Sequence, residues 1–125
     1  MLRIALIIGT GGFIGTLARY FSMLWVQKNI AIAFPLGTML VNILGCFLIG
    51  IFYGLANKNE WFSNDLRLFL TVGFCGGFTT FSTFTADSLA LMRNTQFMQL
   101  SLYILISVVV GIIFTYLGFA IAKIF

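Results

Sequence analysis

Four long apolar stretches separated by short polar ones organise the chain, at about residues 3–26, 34–56, 66–92 and 97–122. Each is long enough to cross a hydrocarbon core of about 30 Å as a helix, which takes roughly 20 residues. None alternates apolar and polar with the period of two that a membrane strand requires. The pattern therefore predicts an all-α membrane protein, a single four-helix transmembrane domain without repeats or linkers. One stretch departs from the rest. Midway through the third run, Gly73, Gly76 and Gly77 are followed by Phe78, Thr79, Thr80, Phe81, Ser82, Thr83 and Phe84. Clustered glycine followed by paired threonine is poor helix interior, so the third helix is expected to break near Gly76–Thr79. Irregular backbone at membrane depth survives only where protein buries it or where it lines a polar path. The least lipid-compatible segment thus lies at mid-depth, where a site is expected.

Polar positions inside the other runs follow helical spacing. In the second run, Thr38 and Asn42 share a face with Gly45 near the next turn, and Pro35 falls where a missing N–H costs little. A buried amide must find partners. Asn42 either bonds a neighbouring helix or lines a polar path. In the fourth run Tyr103, Ser107, Gly111 and Thr115 recur every four residues as one drifting stripe. A single hydroxyl can bond back to its own helix, whereas three in one stripe favour a polar lining. Gly11 and Gly15, and again Gly50 and Gly54, have the spacing that lets membrane helices approach closely. Asn64 or Asp65 is available to cap the third helix.

Composition narrows the chemistry. The chain has 125 residues, 61% of them hydrophobic, 8% charged, and no histidine. Seven basic and three acidic residues lie mainly near the ends of the runs, as headgroup anchors do, which argues against nucleic-acid binding. Without histidine, a carboxylate pair or a phosphate loop, catalysis and transition-metal binding are disfavoured. Cys46 and Cys75 lie inside the spans and read as buried thiols. The first run lacks a small-residue cleavage site and is expected to be retained. Arg19 lies within the first run, where it either snorkels to the interface or pairs internally, Asp87 being a partner of matched depth.

An even number of spans places both ends of the chain on one side with Arg3, Lys58, Arg67 and Lys123, against Lys28 and Arg93, or Arg19 as well, on the other. That difference is small, so insertion in both orientations is expected, and two opposed copies could pair about an axis in the membrane plane. No carboxylate occurs in the first, second or fourth run, so passive conduction fits better than coupled transport. Hydroxyl and amide donors, with the positive edges of Phe81 and Phe84 one turn apart, suit a small anion. A helix broken near Gly76–Thr79 frees carbonyls that suit a hard cation.

The run from Gly73 to Phe84 resembles the signature of the Fluc (CrcB-type) fluoride channels. So do the glycine-rich segment before Arg19, the Gly37, Asn42, Gly45 segment, and Tyr103 with Ser107. The likeness covers essentially the whole chain. It implies a fluoride-selective passive channel that exports fluoride and relieves its toxicity. It further implies a multi-pass protein of the cell (plasma or inner) membrane, working as an antiparallel, dual-topology homodimer with two pores. By the resemblance, Phe81 and Phe84 line each pathway and Asn42 donates to the ion. Ser82, Thr83, Ser107, Tyr103 and Thr115 add polar lining, and Arg19 lies near a vestibule. The carbonyls of Gly76 and Thr79 from both subunits would hold a structural Na⁺. The alternative is a small dual-topology multidrug exporter, which calls for a membrane-embedded glutamate on the first helix; this chain has none there. A scaffolding subunit would explain the packing glycines but not the polar stripes.

Overall fold

The computed structural model describes residues 1–125. Helix α1 (Leu2–Asn29) is followed by α2 (Leu36–Lys58). The third crossing is composite: α3 (Asn64–Arg67), a π-helical segment (Leu68–Cys75), α4 (Gly76–Phe78) and, after a break, α5 (Phe81–Arg93). Helix α6 (Phe97–Ala122) completes the chain. These elements make four crossings long and apolar enough to span a membrane, which defines a multi-pass membrane protein with its third helix bent.

Only 20 of the 125 residues are buried, so no conventional core holds the helices together. Between membrane helices the lipid tails remove most of the hydrophobic drive, and close backbone packing takes its place. Two such contacts organise the bundle. In the first, α1 lies along the π segment, in parallel, with Gly11 at Phe69 and Gly15 at Phe74. A Cβ on Gly15 would run into the Phe74 carbonyl, and one on Gly73 would stand 2.9 Å from the Ile8 carbonyl oxygen. In the second, α2 and α6 also run parallel, Cys46 facing Gly111, Gly50 facing Thr115 and Gly54 facing Phe119. This is the most extensive contact in the molecule. The small-residue spacing on α1 and α2 is thus used for helix packing, as the sequence pattern predicts.

Two local features differ from the sequence reading. Ser63 caps α3, its hydroxyl accepting from the Leu66 N–H at 3.2 Å, while Asp65 in the first turn forms an ion pair with Arg3. Further along, the backbone remains helical through Gly76, Gly77 and Phe78 and breaks at Thr79 and Thr80 (φ,ψ of −84°,156° and −149°,114°). The glycines before the break do not cause it by themselves. A Cβ on Gly77 would collide with the Gly12 carbonyl, so that residue is small for the sake of α1.

Substituting Gly15 by Leu is expected to lower stability by about 3 kcal/mol or more, since the colliding partner is backbone and cannot move aside. Gly9, with open space around it, should accept Ala with stability unchanged or raised by up to about 1 kcal/mol. Thermal unfolding of the purified variants in detergent checks both.

Candidate functional site

The break at Thr79–Thr80 is held by α2. Asn42 Oδ1 accepts from the Thr80 N–H at 2.7 Å, and Asn42 Nδ2 donates to the Thr80 carbonyl at 3.0 Å. One amide therefore replaces both hydrogen bonds that Thr80 would have made within a continuous helix. Thr79 turns back, its N–H and its hydroxyl both donating to the Cys75 carbonyl at 2.9 and 2.8 Å. Thr80 then caps α5: its Oγ1 accepts from the Thr83 N–H at 3.2 Å and lies 3.1 Å from Thr83 Oγ1 and 3.3 Å from Ser82 Oγ. Two consequences matter chemically. A helix start, with unbonded N–H groups and a positive dipole end, is created at mid-depth. And the Thr80 N–H no longer bonds the Gly76 carbonyl, while the Thr79 carbonyl accepts no backbone N–H.

Beside the break lies an open groove of about 360 Å³ between α2, the π segment, α5 and α6. Asn42, Cys46, Thr71, Cys75, Gly76, Thr79, Thr80, Phe81, Phe84 and Ser107 line it, with Gly45, Ile49 and Val108. No lining residue is a carboxylate or a cation. Phe81 and Phe84 stand with ring centroids 5.7 Å apart, tilted by 33°, and Phe84 in turn lies 5.1 Å from the Tyr103 ring. Phe81 is 77% exposed, an aromatic ring that, apart from its edge toward Phe84, its own chain leaves uncovered. Tyr103, by contrast, is fully buried, edge-on to Phe34, and its hydroxyl donates to Asp87 Oδ2 at 3.1 Å.

Ser107 differs from most hydroxyls on the third and fourth crossings. Thr71, Ser88, Ser101 and Thr115 each donate to the carbonyl four residues earlier. The buried Ser107 Oγ has no partner and lies in the groove wall.

The structure therefore brings together Asn42, Gly76, Thr79, Phe81, Phe84 and Ser107, with Ser82 and Thr83 joined to them through the Thr80 hydroxyl. It does not bring Tyr103 there, whose buried hydroxyl is committed to Asp87, nor Thr115. The Thr115 hydroxyl donates to Gly111 at 3.0 Å and the residue lines a separate groove with Tyr53 and Tyr116. Nor does Arg19 reach the groove or Asp87. Arg19 has no ion-pair partner in the chain, and Asp87 faces the 33–35 loop and takes the Tyr103 hydroxyl instead. The pairing of Arg19 with Asp87, which matched depth alone favoured, is absent. Cys46 and Cys75 as groove residues escape a residue-type search, although Cys46 is one turn from Asn42 and Cys75 one turn from Thr79. The π-helical geometry has no sequence signal of its own.

A four-crossing membrane protein with a broken third helix and an acid-free, donor-bearing groove at the break defines a conduction-type site. The chain belongs to the family described as CrcB-like protein, Camphor Resistance (CrcB), which it matches over residues 6–119. It is 44% identical over 119 residues to a "Fluoride-specific ion channel FluC" of Prosthecochloris aestuarii, covering 95% of this chain and 92% of that one. It is 39% identical to a FluC of Azobacteroides pseudotrichonymphae over the full length of both chains. A FluC of Phocaeicola vulgatus is 46% identical over 113 residues, 90% of this chain and 93% of the relative.

Replacing Asn42 by Leu, of similar size, leaves both Thr80 backbone groups unbonded at membrane depth. At about 1–3 kcal/mol for each stranded group, a loss of about 2–6 kcal/mol is expected. Thermal unfolding read against Thr115→Val, which removes only a self-bonded hydroxyl and should be close to neutral, checks it.

Proposed function

We propose that the chain is a fluoride-selective passive ion channel that lets fluoride leave the cell, and that it works as an antiparallel homodimer with two pathways. The observation that carries this reading is the groove at the break. Ring edges, an unpartnered hydroxyl and the start of α5 converge there without a single carboxylate. Fluoride is small and strongly hydrated, so a pathway must offer many donors to replace its water. The hydroxyls of Ser107, Ser82 and Thr83, the second N–H of Asn42 and the N–H groups of Phe81 and Ser82 that open α5 are such donors. The rings of Phe81 and Phe84 present edges that carry positive partial charge, attractive to an anion without holding it as an ion pair would. Weak, repeated contacts favour passage over trapping. The named relatives point the same way.

The exporter alternative has no support. Proton-coupled export requires a titratable group at mid-depth, and the groove contains no carboxylate. With no nucleophile–base pair in the groove either, an ion channel rather than an enzyme is the reading.

The dimer follows from what one chain leaves unfinished. Phe81 projects outward and Gly76 opens onto free space, so the groove has one wall missing. A second copy in the opposite orientation would supply it. The Gly76 and Thr79 carbonyls fit a hard cation, since neither accepts the helical N–H bond it would receive in an unbroken helix. From both subunits together they would hold a Na⁺ ion, which offsets repulsion between two nearby anions.

The test is fluoride efflux from proteoliposomes with chloride as the control ion. Fluoride should pass and chloride should not; equal flux of both, or of neither, overturns the reading. With each ring edge contributing about 1.4 kcal/mol, Phe81→Ile or Phe84→Ile should slow fluoride roughly tenfold or more while assembly persists. For orientation, a single cysteine introduced by Glu60→Cys in a Cys46→Ser, Cys75→Ser background should label from both sides of native vesicles. Labelling from one side only would remove the antiparallel pairing.

A further inference from the structure

Two groups in the groove wall have no part in conducting fluoride as argued above: the thiols of Cys46 and Cys75. Both are free cysteines, and they come from different elements, α2 and the π segment, yet line the same cavity of about 360 Å³. Cys75 is 1% exposed, whereas Cys46 is only partly covered and opens to the groove. The packing that places them is rigid on both sides. The Cys46 sulfur lies over bare backbone at Gly111, where a Cβ would stand 3.4 Å from Sγ. Cys75 is fixed one turn before the break by its carbonyl, which takes two bonds from Thr79. Gly45, beside Cys46, is in turn pressed against the Thr79 side chain.

We propose that Cys46 and Cys75 form a two-thiol site for a divalent, linearly coordinating soft metal ion, of which mercuric ion is the type, and that its occupation obstructs the groove. Thiolate sulfur selects soft ions over the hard cations that oxygen ligands hold. No set of three or more potential metal ligands exists in the chain, so an ion that demands three or four ligands finds no site. The charge balance selects among two-coordinate ions. Two thiols bind Hg²⁺ by forming two S–Hg bonds and releasing two protons, and the product is neutral. A monovalent ion held by two thiolates would leave a net negative charge in a low-dielectric groove, which is costly. Obstruction follows from position, since Asn42, Phe84 and Ser107 line the same cavity.

The obstruction rests on the fluoride reading, whereas binding does not, and the test separates them. Purified protein in detergent is treated with mercuric chloride, washed with excess glutathione and analysed by intact mass. Wild type should retain one mercury per chain in place of two protons. Cys46→Ser and Cys75→Ser should each lose their mercury to glutathione, while eluting as wild type on size exclusion to show that they fold. No retention by wild type, two mercury atoms per chain, or equal retention by a single-serine variant overturns the site. In proteoliposomes, loaded wild type should pass fluoride severalfold more slowly than unloaded protein; unchanged flux with mercury retained overturns the obstruction. Unloaded protein that passes no fluoride condemns the channel reading and leaves the metal result standing.

Discussion

A helix interrupted in the middle of a bilayer exposes backbone N–H and C=O groups where no water can reach them, at several kcal/mol for each group left alone. In this chain the interruption at Thr79–Thr80 persists because one side chain on a neighbouring helix, Asn42, bonds both exposed groups of Thr80. The Thr79 hydroxyl folds back on Cys75 and the Thr80 hydroxyl caps α5, while the carbonyls of Gly76 and Thr79 stay without the N–H bonds of a continuous helix. Asn42 and the break are therefore one device. Remove the amide and the extended backbone has no compensation; remove the break and the amide has no partner. The start of α5 and the free carbonyl of Thr79 both follow from it.

The glycine contacts put that device where it works. The pair of α1 with the π segment and the pair of α2 with α6 are each drawn to backbone contact, through Gly15 and Gly73 in one case and Gly50 and Gly118 in the other. The contact between the two pairs is looser, and the groove lies along it, with Asn42 and Cys46 on one side and Thr79 and Cys75 on the other. Tight pairs with a loose seam leave space for an ion without a cavity through the middle of any one pair. The seam opens at Phe81, whose ring the chain leaves largely exposed.

Much of this was legible before any coordinates. The four crossings follow from run length alone, and the third run announces its irregularity through three glycines and two adjacent threonines. Gly11, Gly15, Gly50 and Gly54 are spaced for close packing and are used so. Residues of the site on one helix, such as Phe81 and Phe84, can be assigned to one face by counting. What counting cannot reach is whether a polar group is already satisfied. Thr115 and Ser107 belong to the same stripe, yet Thr115 is self-bonded and Ser107 is not, a difference that residue type and spacing do not carry. The break fell at the threonines rather than among the glycines for a similar reason: Gly77 is small because Gly12 of α1 presses on it, a tertiary cause invisible in local propensity. Asp87 met Tyr103 rather than Arg19 because depth along the membrane does not say which face of a helix a residue occupies.

The same distinction bears on why the site suits an anion in transit rather than one bound for good. Full cations would hold fluoride tightly and, in a medium of low dielectric, release it slowly. The groove has none. Arg19 and the other basic residues lie outside its lining, and the attraction left to it comes from partial charges: ring edges, hydroxyl dipoles and the start of α5. Each is weak alone, and none depends on a proton being gained or lost near neutral pH. Such a path is driven only by the electrochemical gradient of fluoride, its concentration difference together with the membrane potential. Its donors also differ in commitment. Asn42 spends one N–H on Thr80 and keeps one, Thr83 is drawn to the Thr80 hydroxyl, and Ser107 is wholly free. The donors along the seam are thus oriented by the protein and not exhausted by it, which is what a stepwise exchange of water for protein contacts calls for.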